Sequence, residues 1–512
     1  MTPGARTPDT FPDVSQQPEP LLGLLDADAA GTALICPDAD VRLSHAELAE
    51  LVQALAGKLQ AAGVGPGDRV AVVLPNGVEL VAILFALASL GAATVPLNPA
   101  YTEPEFRFYL DDLVPQLLLI GESAAPNARA AAGSIPVAEV VVAAPGQPVE
   151  LRAGGRAVAA AGPNGAAEPE QIALLLHTSG TTSRPKQVPL LQRNLTAQAR
   201  SIAAHYGLTS GDVSFCAMPL FHVHGLIAST LAQLAVGGTV IVPRRFSPRR
   251  FWTQAAADSA TWLSAGPTLH RMILDHAAAA DVRLRFARSC SSALSPQLMR
   301  EAEDRYGAPM VEAYGMTEAT HQIASNPLPP AARYEGSVGI PAGAEFRIVD
   351  PDGGDVEPGA TGEVAIRGAG LTPGYLNNDQ ANAESFFDGW FRTGDQGRVD
   401  DGYLRLLGRL KEMIIRGGEN ISPYEIEAVL LSHPQVAEAV AFGVDDEKYG
   451  QTVAAAVVVE GDAGAEELRR HAAHSLAPFK VPDRIHVLDE IPKTPTGKVQ
   501  RPRMAAYLEQ QG

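Results

Sequence analysis

The sequence has few cysteines and comparatively few basic residues, and both shortages exclude classes of function. Cys36, Cys216 and Cys290 lie far apart with no CxxC spacing, which argues against a disulfide framework and against a zinc site. There are 40 Lys and Arg residues against 58 Asp and Glu residues, a formal net charge of −18. Such a chain is a poor candidate for binding nucleic acid or an anionic membrane. A small anion can still bind, because loops and helix N-termini act at contact distance.

The sequence also lacks an uninterrupted apolar run of membrane-spanning length. The longest candidate, residues 80–97, is interrupted by Gly91 and Pro96. We therefore predict a buried core helix over 79–90 that turns into a short strand over 92–97. No membrane partner is expected.

The two ends of the sequence lack targeting signals. Residues 1–20 are polar and Pro-rich without the apolar segment of a signal peptide, which predicts a disordered tail. Residues 510–512 do not form a peroxisomal signal. Together with the cysteine content, this predicts a cytoplasmic protein. The sequence leaves the oligomeric state open.

Helical and strand patterns alternate over residues 21–120, which is typical of βαβ units and predicts an α/β fold with a mostly parallel sheet. Ser44 is a predicted N-cap for a helix over 46–62. Residues 124–170 are rich in Gly, Ala and Pro and predict a loop-rich connection. Further elements are expected as strands at 69–74, 213–219 and 239–242 and a helix at 225–234.

The most specific pattern is LLLHTSGTTSRPKQVPL, residues 174–190. An apolar run leads into small hydroxyl residues and glycine at 178–183, and Lys186 follows. Small residues let backbone N–H groups converge on a phosphate, and the hydroxyls add donors. A Walker A loop is excluded, because Pro185 precedes the lysine and Gln187 follows it, where Ser or Thr is required. A Ser/Thr-rich surface loop is the alternative interpretation.

Other polar segments follow predicted strands, where parallel sheets present ligand-binding side chains. His222 and His224 are two residues apart but have no third metal ligand at a readable spacing, so we predict that His222 lines a pocket instead. The segments 288–294 (RSCSSAL) and 311–321 (VEAYGMTEATH) also enter polar loops. Glu318, in the second of these, is a natural magnesium ligand if the phosphate loop lies nearby.

A basic cluster stands out in this acidic chain, formed by Arg244, Arg245, Arg249 and Arg250. One interpretation is a solvated face, which is common for such runs. The other is a binding site for a polyanionic cofactor, such as the nucleotide part of coenzyme A.

Seven segments in a fixed order resemble the superfamily of adenylate-forming acyl-CoA synthetases, adenylation domains and luciferases. They are 178–186, Phe221-His222, 314–318 (YGMTE), 393–395 (TGD), 408–412 (GRLKE), 417–420 (GGEN) and 492–498 (PKTPTGK). Each alone is weak, but seven in order over about 320 residues form a specific signal. Within the superfamily the chain is similar to oxalate–CoA ligases (oxalyl-CoA synthetases) of plants and fungi, in segments 177–186, 221–226, 312–321 and 325–329.

The resemblance implies an ATP-dependent acid–CoA ligase. Such an enzyme converts a carboxylate into acyl-AMP, releases pyrophosphate, and transfers the acyl group to coenzyme A with the help of Mg²⁺. It implies a small dicarboxylate such as oxalate as the acid. The alternatives are a medium-chain fatty acid or an aromatic acid, a carrier protein as the acceptor, or a non-catalytic nucleotide-binding protein on the same fold.

The resemblance also implies the residues of the site. ATP would be bound by Thr178, Ser179, Gly180, Thr181, Thr182, Lys186, Ser291, Ser292, Glu312, Ala313, Tyr314, Asp395 and Arg409. Among these, Tyr314 would stack on the adenine base, and Asp395 would accept hydrogen bonds from the ribose hydroxyls, with Arg409 near ribose or phosphate. The catalytic residues would be Lys498, Thr317, Glu318 and His222, with Glu318 also the metal ligand. The acyl pocket would contain His222, Ser289, Ser291 and His321, and coenzyme A would contact Gly417, Gly418 and Glu419.

The implied architecture is a large N-terminal domain, residues 21–410, of sheets flanked by helices, and a small mobile α+β C-terminal domain, residues 411–512. Rotation about a hinge near Lys411 would withdraw Lys498 after adenylation and bring the 417–420 segment to the site. Gln187 departs from the glycine that is usual in the family, and the sequence alone does not explain it.

Overall fold

The computed structural model describes residues 18–121, 125–141, 149–160, 162, 167–178, 185–276, 282–417, 419–493 and 499–509. Over these residues the chain forms two large α/β layers, a smaller antiparallel sheet and a C-terminal α+β unit. This is the predicted fold class.

Two large, mostly parallel sheets form the N-terminal part. In spatial order, the first contains Ile340–Pro341, His321–Ser325, Met310–Met316, Phe286–Ser289, Trp262–Ala265, Val213–Cys216, Thr239–Ile241, Thr32–Cys36 and Val41–Ser44. The second contains Lys186–Leu191, Ile172–Thr178, Ala93–Pro96, Arg69–Val73, Leu117–Gly121, Val137–Val141, Glu150–Ala153 and Arg156–Ala157. Because neighbouring central strands run parallel, their carboxyl ends meet at one edge of each sheet.

Helices cover the faces of these sheets. The α-helices are His45–Ala61, Val78–Ser89, Glu103–Leu113, Pro126–Ala131, Gln192–His205, Ala232–Leu234, Pro248–Ala257, Pro267–Leu274, Pro296–Tyr306, Asp379–Ser385, Pro423–Leu431, Ala465–Ser475 and Met504–Glu509. A π-helical segment spans His224–Leu231, and single 3-10 turns span Leu21–Leu24, Thr317–Ala319, Leu410–Glu412 and Arg501–Arg503.

The helix after Ser44 begins as its sequence predicts. The Ser44 hydroxyl accepts a hydrogen bond from the Glu47 backbone N–H at 3.2 Å, and the Glu47 carboxylate accepts one from the Ser44 N–H at 2.8 Å. This capping box satisfies two N–H groups that the first turn leaves without helical partners, a contribution of about 1 kcal/mol.

The interrupted apolar run is core, as predicted. Its helix, Val78–Ser89, is buried at every position except Ser89, and the strand Ala93–Pro96 follows it. The carboxylate of Glu79, on the first turn, is held by the Arg244 guanidinium at 3.0 Å. Among the described residues, no helix combines the length and the apolar character needed to cross a membrane.

The last two sheets meet at a single turn. The third sheet contains Glu345–Val349, Gly362–Arg367, Trp390–Asp400, Phe386–Phe387 and Tyr403–Arg409. The fourth contains Glu419–Ile421, Ile414–Arg416, Gly450–Val459, Val436–Asp446 and Arg484–Val487. The exposed Lys411 lies in the turn Leu410–Glu412 between them. The predicted hinge therefore coincides with the change of sheet, while its rotation stays a prediction.

The disordered tail was predicted to reach residue 20, but residues 19 and 21 already contact the folded part of the chain. Residues 1–17 lie outside the described part, but the Glu19 carboxylate pairs with Arg200 at 2.6 Å. The backbone N–H of Leu21 donates to the buried Gln192 side chain at 2.9 Å. Glu19 is thus fixed to the folded part, because a helix of the large domain supplies its partner.

Candidate active site

The predicted phosphate loop is flanked by an antiparallel strand pair. Thr178 ends the strand Ile172–Thr178, and Lys186 begins the strand Lys186–Leu191, where the two residues are register partners. The predicted site residues Ser179, Gly180, Thr181, Thr182, Gly418 and Lys498 lie outside the described residues.

Gln187 has a structural role that its sequence position does not reveal. Its side-chain amide donates to the Asp112 carboxylate at 2.6 Å and to the Asp112 carbonyl oxygen at 3.0 Å. His177, its register partner on the facing strand, lies 3.1 Å from the same carboxylate. The strand pair beside the phosphate loop is thereby fastened to the end of the helix Glu103–Leu113.

Glu318, the predicted metal ligand, is a buried carboxylate held by a phenol. Its side chain accepts a hydrogen bond from the Tyr375 hydroxyl at 2.9 Å, and Glu318 is 6% exposed. The Lys186 ammonium lies over the same tyrosine ring, 4.4 Å from its centroid. Within the described chain Glu318 forms no ion pair, so its charge and free lone pairs suit a hard cation such as Mg²⁺. Thr317 precedes it at the start of the same turn.

The predicted ribose and adenine residues form one connected group. The Tyr314 hydroxyl donates to one oxygen of the Asp395 carboxylate, and Arg409 pairs with the other at 3.0 Å. Burial and the neighbouring Asp395 raise the pKa of Tyr314 well above its usual value, so its phenol remains a donor. The Asp395 carboxylate attracts positive charge, which raises the pKa of Arg409. Tyr314, predicted to stack on the base, is thus tied to the predicted ribose acceptor.

Glu312 and Ala313 are buried on the strand Met310–Met316, and Ser292 is exposed in the loop after Phe286–Ser289. The Glu312 carboxylate accepts the Leu294 backbone N–H at 3.1 Å. Burial raises the pKa of Glu312 to about 7, against the lowering effect of this hydrogen bond. Near neutral pH the side chain is therefore partly protonated.

A cluster of polar side chains contacts Ser291 in the loop that follows the strand Phe286–Ser289. Its centre is Arg288, which is fully buried. The guanidinium donates to the side chains of Tyr206 at 2.9 Å, Ser264 at 2.9 Å, Gln322 at 2.9 Å, His321 at 2.9 Å and His224 at 3.3 Å. The other ring nitrogen of His224 lies 3.0 Å from the hydroxyl of the exposed Ser291. We call Arg288, His224, His321, Ser264 and Ser291 the acyl cluster.

Backbone strain coincides with the acyl cluster. Three residues have positive φ angles, which residues other than glycine rarely adopt: Ser291 at +80°, Thr320 at +55° and His321 at +129°. Strain of this kind persists where the surroundings enforce it, often at functional sites. The His224 and His321 rings stack with centroids 5.0 Å apart, so the strained segment brings the second ring onto the first.

The predicted acyl-pocket residues divide between two places. His321 and Ser291 belong to the acyl cluster. Ser289 is buried but follows Arg288 in a strand, so alternation directs its side chain to the opposite face. His222 is half-buried, with its ring 5.1 Å from that of Phe221.

The sequence predicts no binding role for His224 or Arg288. For Arg288 the sequence did contain a signal, because a charged residue inside an otherwise apolar strand needs polar partners when it is buried. In the described part of the chain, no group of three or more His, Cys, Asp or Glu side chains has an arrangement able to hold a metal ion.

The residues predicted to contact coenzyme A lie at the start of the fourth sheet. Gly417 has φ of +61° and donates its N–H to the Tyr449 carbonyl at 2.8 Å, a conformation that favours glycine. Glu419 is exposed on the next strand.

In the basic cluster, Arg244 is engaged by the buried Glu79 and therefore has a structural role. Arg245, Arg249 and Arg250 are exposed. Arg245, Arg249 and Arg250 therefore remain either a solvated face or a binding site for a polyanionic cofactor.

Two family matches account for most of the chain. Residues 27–376 match the AMP-binding enzyme family, and residues 425–498 match the AMP-binding enzyme C-terminal domain. The chain belongs to the AMP-binding enzyme family.

Similar proteins match nearly the whole length of this AMP-binding enzyme. An oxalate–CoA ligase of Arabidopsis thaliana is 46% identical over 480 residues, covering 91% of this chain and 93% of the relative. A sulfoacetate–CoA ligase of Cupriavidus necator is 38% identical over 477 residues, covering 91% and 93%. The ATP-bound MatB structure from Rhodopseudomonas palustris superposes with a TM-score of 0.85 at 28% identity, covering 96% of this chain and 98% of that chain.

This AMP-binding enzyme is an acid–CoA ligase, and its use of ATP and coenzyme A fits the family. The predictions of the superfamily, the fold class and the enzyme class are confirmed. The roles of the individual site residues remain predictions. The limits of the two domains and the identity of the acid are also predictions.

Proposed function

We propose that this ligase activates a small dicarboxylic acid, with oxalate as the preferred substrate. The observation that carries the proposal is the acyl cluster. Its histidine and serine side chains are joined by hydrogen bonds of 2.7 to 3.3 Å around a buried guanidinium.

The polarity of the cluster argues against a long alkyl chain as the substrate. An apolar tail gains free energy from an apolar tunnel, and the same tail against buried polar groups would leave their hydrogen bonds unmade. A second carboxylate accepts hydrogen bonds from imidazole N–H and hydroxyl groups and so completes them. The relative named as an oxalate–CoA ligase supports the same choice.

The chemistry assigns clear tasks to the chain. One oxygen of the acid attacks the α-phosphorus of ATP, the bond to pyrophosphate breaks, and pyrophosphate leaves. The coenzyme A thiol then attacks the acyl carbon, and AMP departs with the electron pair of the broken bond. Thr317 and Lys498 would neutralise charge at the α-phosphate during the first step, and Asp395 would accept hydrogen bonds from the ribose hydroxyls.

Magnesium fits the same assignment. When bound, the ion would neutralise phosphate charge as pyrophosphate is expelled. Glu318 would hold it, and Tyr375 would orient that carboxylate through its hydroxyl.

Pyrophosphate release with a panel of acids tests the proposal. We expect oxalate to give the highest kcat/KM among oxalate, malonate, sulfoacetate, acetate, octanoate and benzoate. Octanoate or benzoate ahead of oxalate would establish the medium-chain or aromatic alternative, and sulfoacetate ahead would move the preference to a sulfonated acid. A parallel assay with free coenzyme A and with a phosphopantetheine-loaded carrier protein decides the acceptor, and we expect free coenzyme A to react faster.

A further inference from the structure

We infer that Arg288 sets the charge specificity of the acyl site, as a positioning residue whose buried guanidinium favours an acid with a second negative charge. This inference rests on the proposed function and goes beyond it, because it names the source of the discrimination. Arg288 is fully buried and therefore acts through the groups it holds, without touching the acid.

The guanidinium of Arg288 has hydrogen-bond partners but no counter-ion. In the part of the chain that the structure describes, it donates to hydroxyl, imidazole and amide groups of Tyr206, His224, Ser264, His321 and Gln322, and the side chain of Cys290 also interacts with it. Among the described residues, no Asp or Glu forms an ion pair with it. Arginine stays protonated in proteins, so a full positive charge remains in the interior next to the acyl cluster.

Burying a charge without a counter-ion lowers the free energy of unfolding, because the charge loses its hydration. Neutral hydrogen bonds reduce the cost of removing a guanidinium from water but do not cancel its charge. An apolar side chain of similar volume would fill the same place in the core without this cost. Retaining the charge is understandable when an anion binds to the groups that Arg288 holds, because the protein interior screens the attraction between opposite charges less than water does.

The hydrogen bonds show how the charge reaches the acid. A guanidinium can only donate, so the Nε2 atoms of His321 and His224 are acceptors, and the proton of each neutral ring lies on Nδ1. The Nδ1–H of His224 then donates to the Ser291 hydroxyl at 3.0 Å. Ser291 is exposed, so its own O–H proton is available to an anion. Arg288 thus orients His224, which in turn holds the exposed Ser291 hydroxyl.

The position of the cluster in the chain agrees with this role. His321 lies three residues after Glu318, the predicted metal ligand, and Ser291 lies in the loop that leads to Leu294 beside Glu312. The strand of Arg288 is paired with the strand of Glu312 and Tyr314. The buried charge is therefore next to the segments that are predicted to hold ATP, as a short diacid requires.

The test compares oxalate with oxamate, which has an amide in place of one carboxylate and differs mainly in charge. The kcat/KM for each acid is measured by pyrophosphate release at saturating ATP, Mg²⁺ and coenzyme A. We expect the wild type to prefer oxalate by about 100-fold. In Arg288→Met we expect this ratio to fall by about tenfold or more, through a higher KM for oxalate, with the KM for ATP within about twofold.

Two further variants separate charge from structure. Arg288→Lys places an ammonium where the guanidinium stood. Because burial lowers the pKa of a lysine, we expect its oxalate to oxamate ratio to fall below that of the wild type but to stay above that of Arg288→Met. Arg285→Met is the matched control, since Arg285 lies on the same segment, pairs with Asp212 at 3.0 Å and donates to the Tyr206 carbonyl oxygen at 2.8 Å, so its described hydrogen bonds go to no side chain of the acyl cluster. It should lower thermal stability without changing the ratio. Arg288→Gln is the second neutral variant if Arg288→Met does not fold.

If oxalate is the best acid of the panel but a folded neutral variant keeps the wild-type ratio, the inference is wrong and the proposed function stands. If octanoate or benzoate is the best acid, the proposed function fails and the inference fails with it. If neither neutral variant folds, Arg288→Lys decides, because an oxalate to oxamate ratio below that of the wild type supports the inference and an unchanged ratio overturns it.

Discussion

At the residue scale, Tyr375 connects two parts of the predicted phosphate site. Its hydroxyl donates to Glu318 at 2.9 Å, and its ring lies under the Lys186 ammonium. Burial and the nearby Glu318 raise the pKa of Tyr375, so the phenol stays protonated and remains a donor. We expect Tyr375→Phe to need about tenfold more Mg²⁺ for half-maximal pyrophosphate release, because the carboxylate loses its orientation.

The control for this prediction is Tyr403→Phe. Its hydroxyl donates to the Ala332 carbonyl at 2.7 Å, on an exposed part of the third sheet. We expect the Mg²⁺ requirement of this control to equal that of the wild type. An unchanged requirement in Tyr375→Phe would contradict the role of Tyr375 in orienting Glu318.

We expect Glu312 to make the stability of the protein depend on pH. Burial raises the pKa of Glu312 from 4.5 to about 7. Between these values the folded protein holds a proton that the unfolded chain has released, so the free energy of unfolding falls as pH rises through this window, by about 3 kcal/mol in total. Glu312→Gln keeps an acceptor for Leu294 but cannot ionise, so we expect a smaller loss of stability between pH 5 and 8.

Denaturant unfolding of the wild type and Glu312→Gln at several pH values measures this difference. Glu335→Gln is the control, since Glu335 pairs with Arg300 on the surface, and its slope with pH should match the wild type. Parallel pH profiles for the wild type and Glu312→Gln would show that the buried carboxyl does not titrate in this range.

The hydrogen-bond partners of Arg288 and Gln187 could not be predicted from the sequence. Arg288 was visible as an arginine in an apolar strand, but its partners Tyr206, Ser264 and Gln322 are distant in the chain and come together through the fold. Gln187 was an unexplained departure from the family pattern for the same reason, because its partner Asp112 lies on another element. Local patterns identify residue types that need partners, whereas the fold supplies the partners.

At the element scale, Gln187 fastens the strand pair beside the phosphate loop to the helix Glu103–Leu113. Its amide donates twice to Asp112, once to a charged oxygen. We expect Gln187→Ala to lower the free energy of unfolding by about 2 kcal/mol, and to raise the KM for ATP, because the strands that flank the loop lose this support.

Gln380→Ala is the matched control for this prediction. The Gln380 amide donates to Glu384 at 2.9 Å on an exposed helix, so its removal should change neither quantity measurably. Chemical denaturation and initial rates at varied ATP supply the two readouts. A Gln187→Ala protein as stable as the control would show that the link to Asp112 contributes nothing.

Elements with strong local signals were predicted well. The capping box at Ser44 and the apolar run of Val78–Ser89 each determine a helix from neighbouring residues. The helix predicted over 225–234 exists, but most of it is the π-helical segment His224–Leu231. A Cβ at Gly225 would lie 2.4 Å from the Pro219 carbonyl oxygen, so this geometry depends on a close backbone contact that hydrophobic periodicity does not encode.

At the scale of the whole molecule, Arg501 connects the predicted hinge to the C-terminal segment that follows Lys498. Its guanidinium pairs with Glu412 at 2.9 Å and with Glu427, and it donates to the Ala441 carbonyl at 2.6 Å. Glu412 is next to Lys411 in the turn between the sheets. The buried Arg501 therefore holds the C-terminal segment, the turn and the fourth sheet together, which suits a small domain that rotates as one unit.

The predicted rotation of the small domain implies that the two half-reactions can be separated. Lys498→Ala removes the charge predicted at the α-phosphate, so we expect acyl-AMP formation to fall about 1000-fold while thioester formation from supplied oxalyl-AMP and coenzyme A is spared. Pyrophosphate release and oxalyl-CoA formation are measured separately. Lys493→Ala is the matched control, because Lys493 is a nearby lysine whose ammonium pairs with Glu438 at 2.6 Å, and it should retain both activities. Equal losses of both half-reactions in Lys498→Ala would refute alternation of the small domain between two tasks, since a lysine that serves only adenylation cannot affect the attack of the thiol.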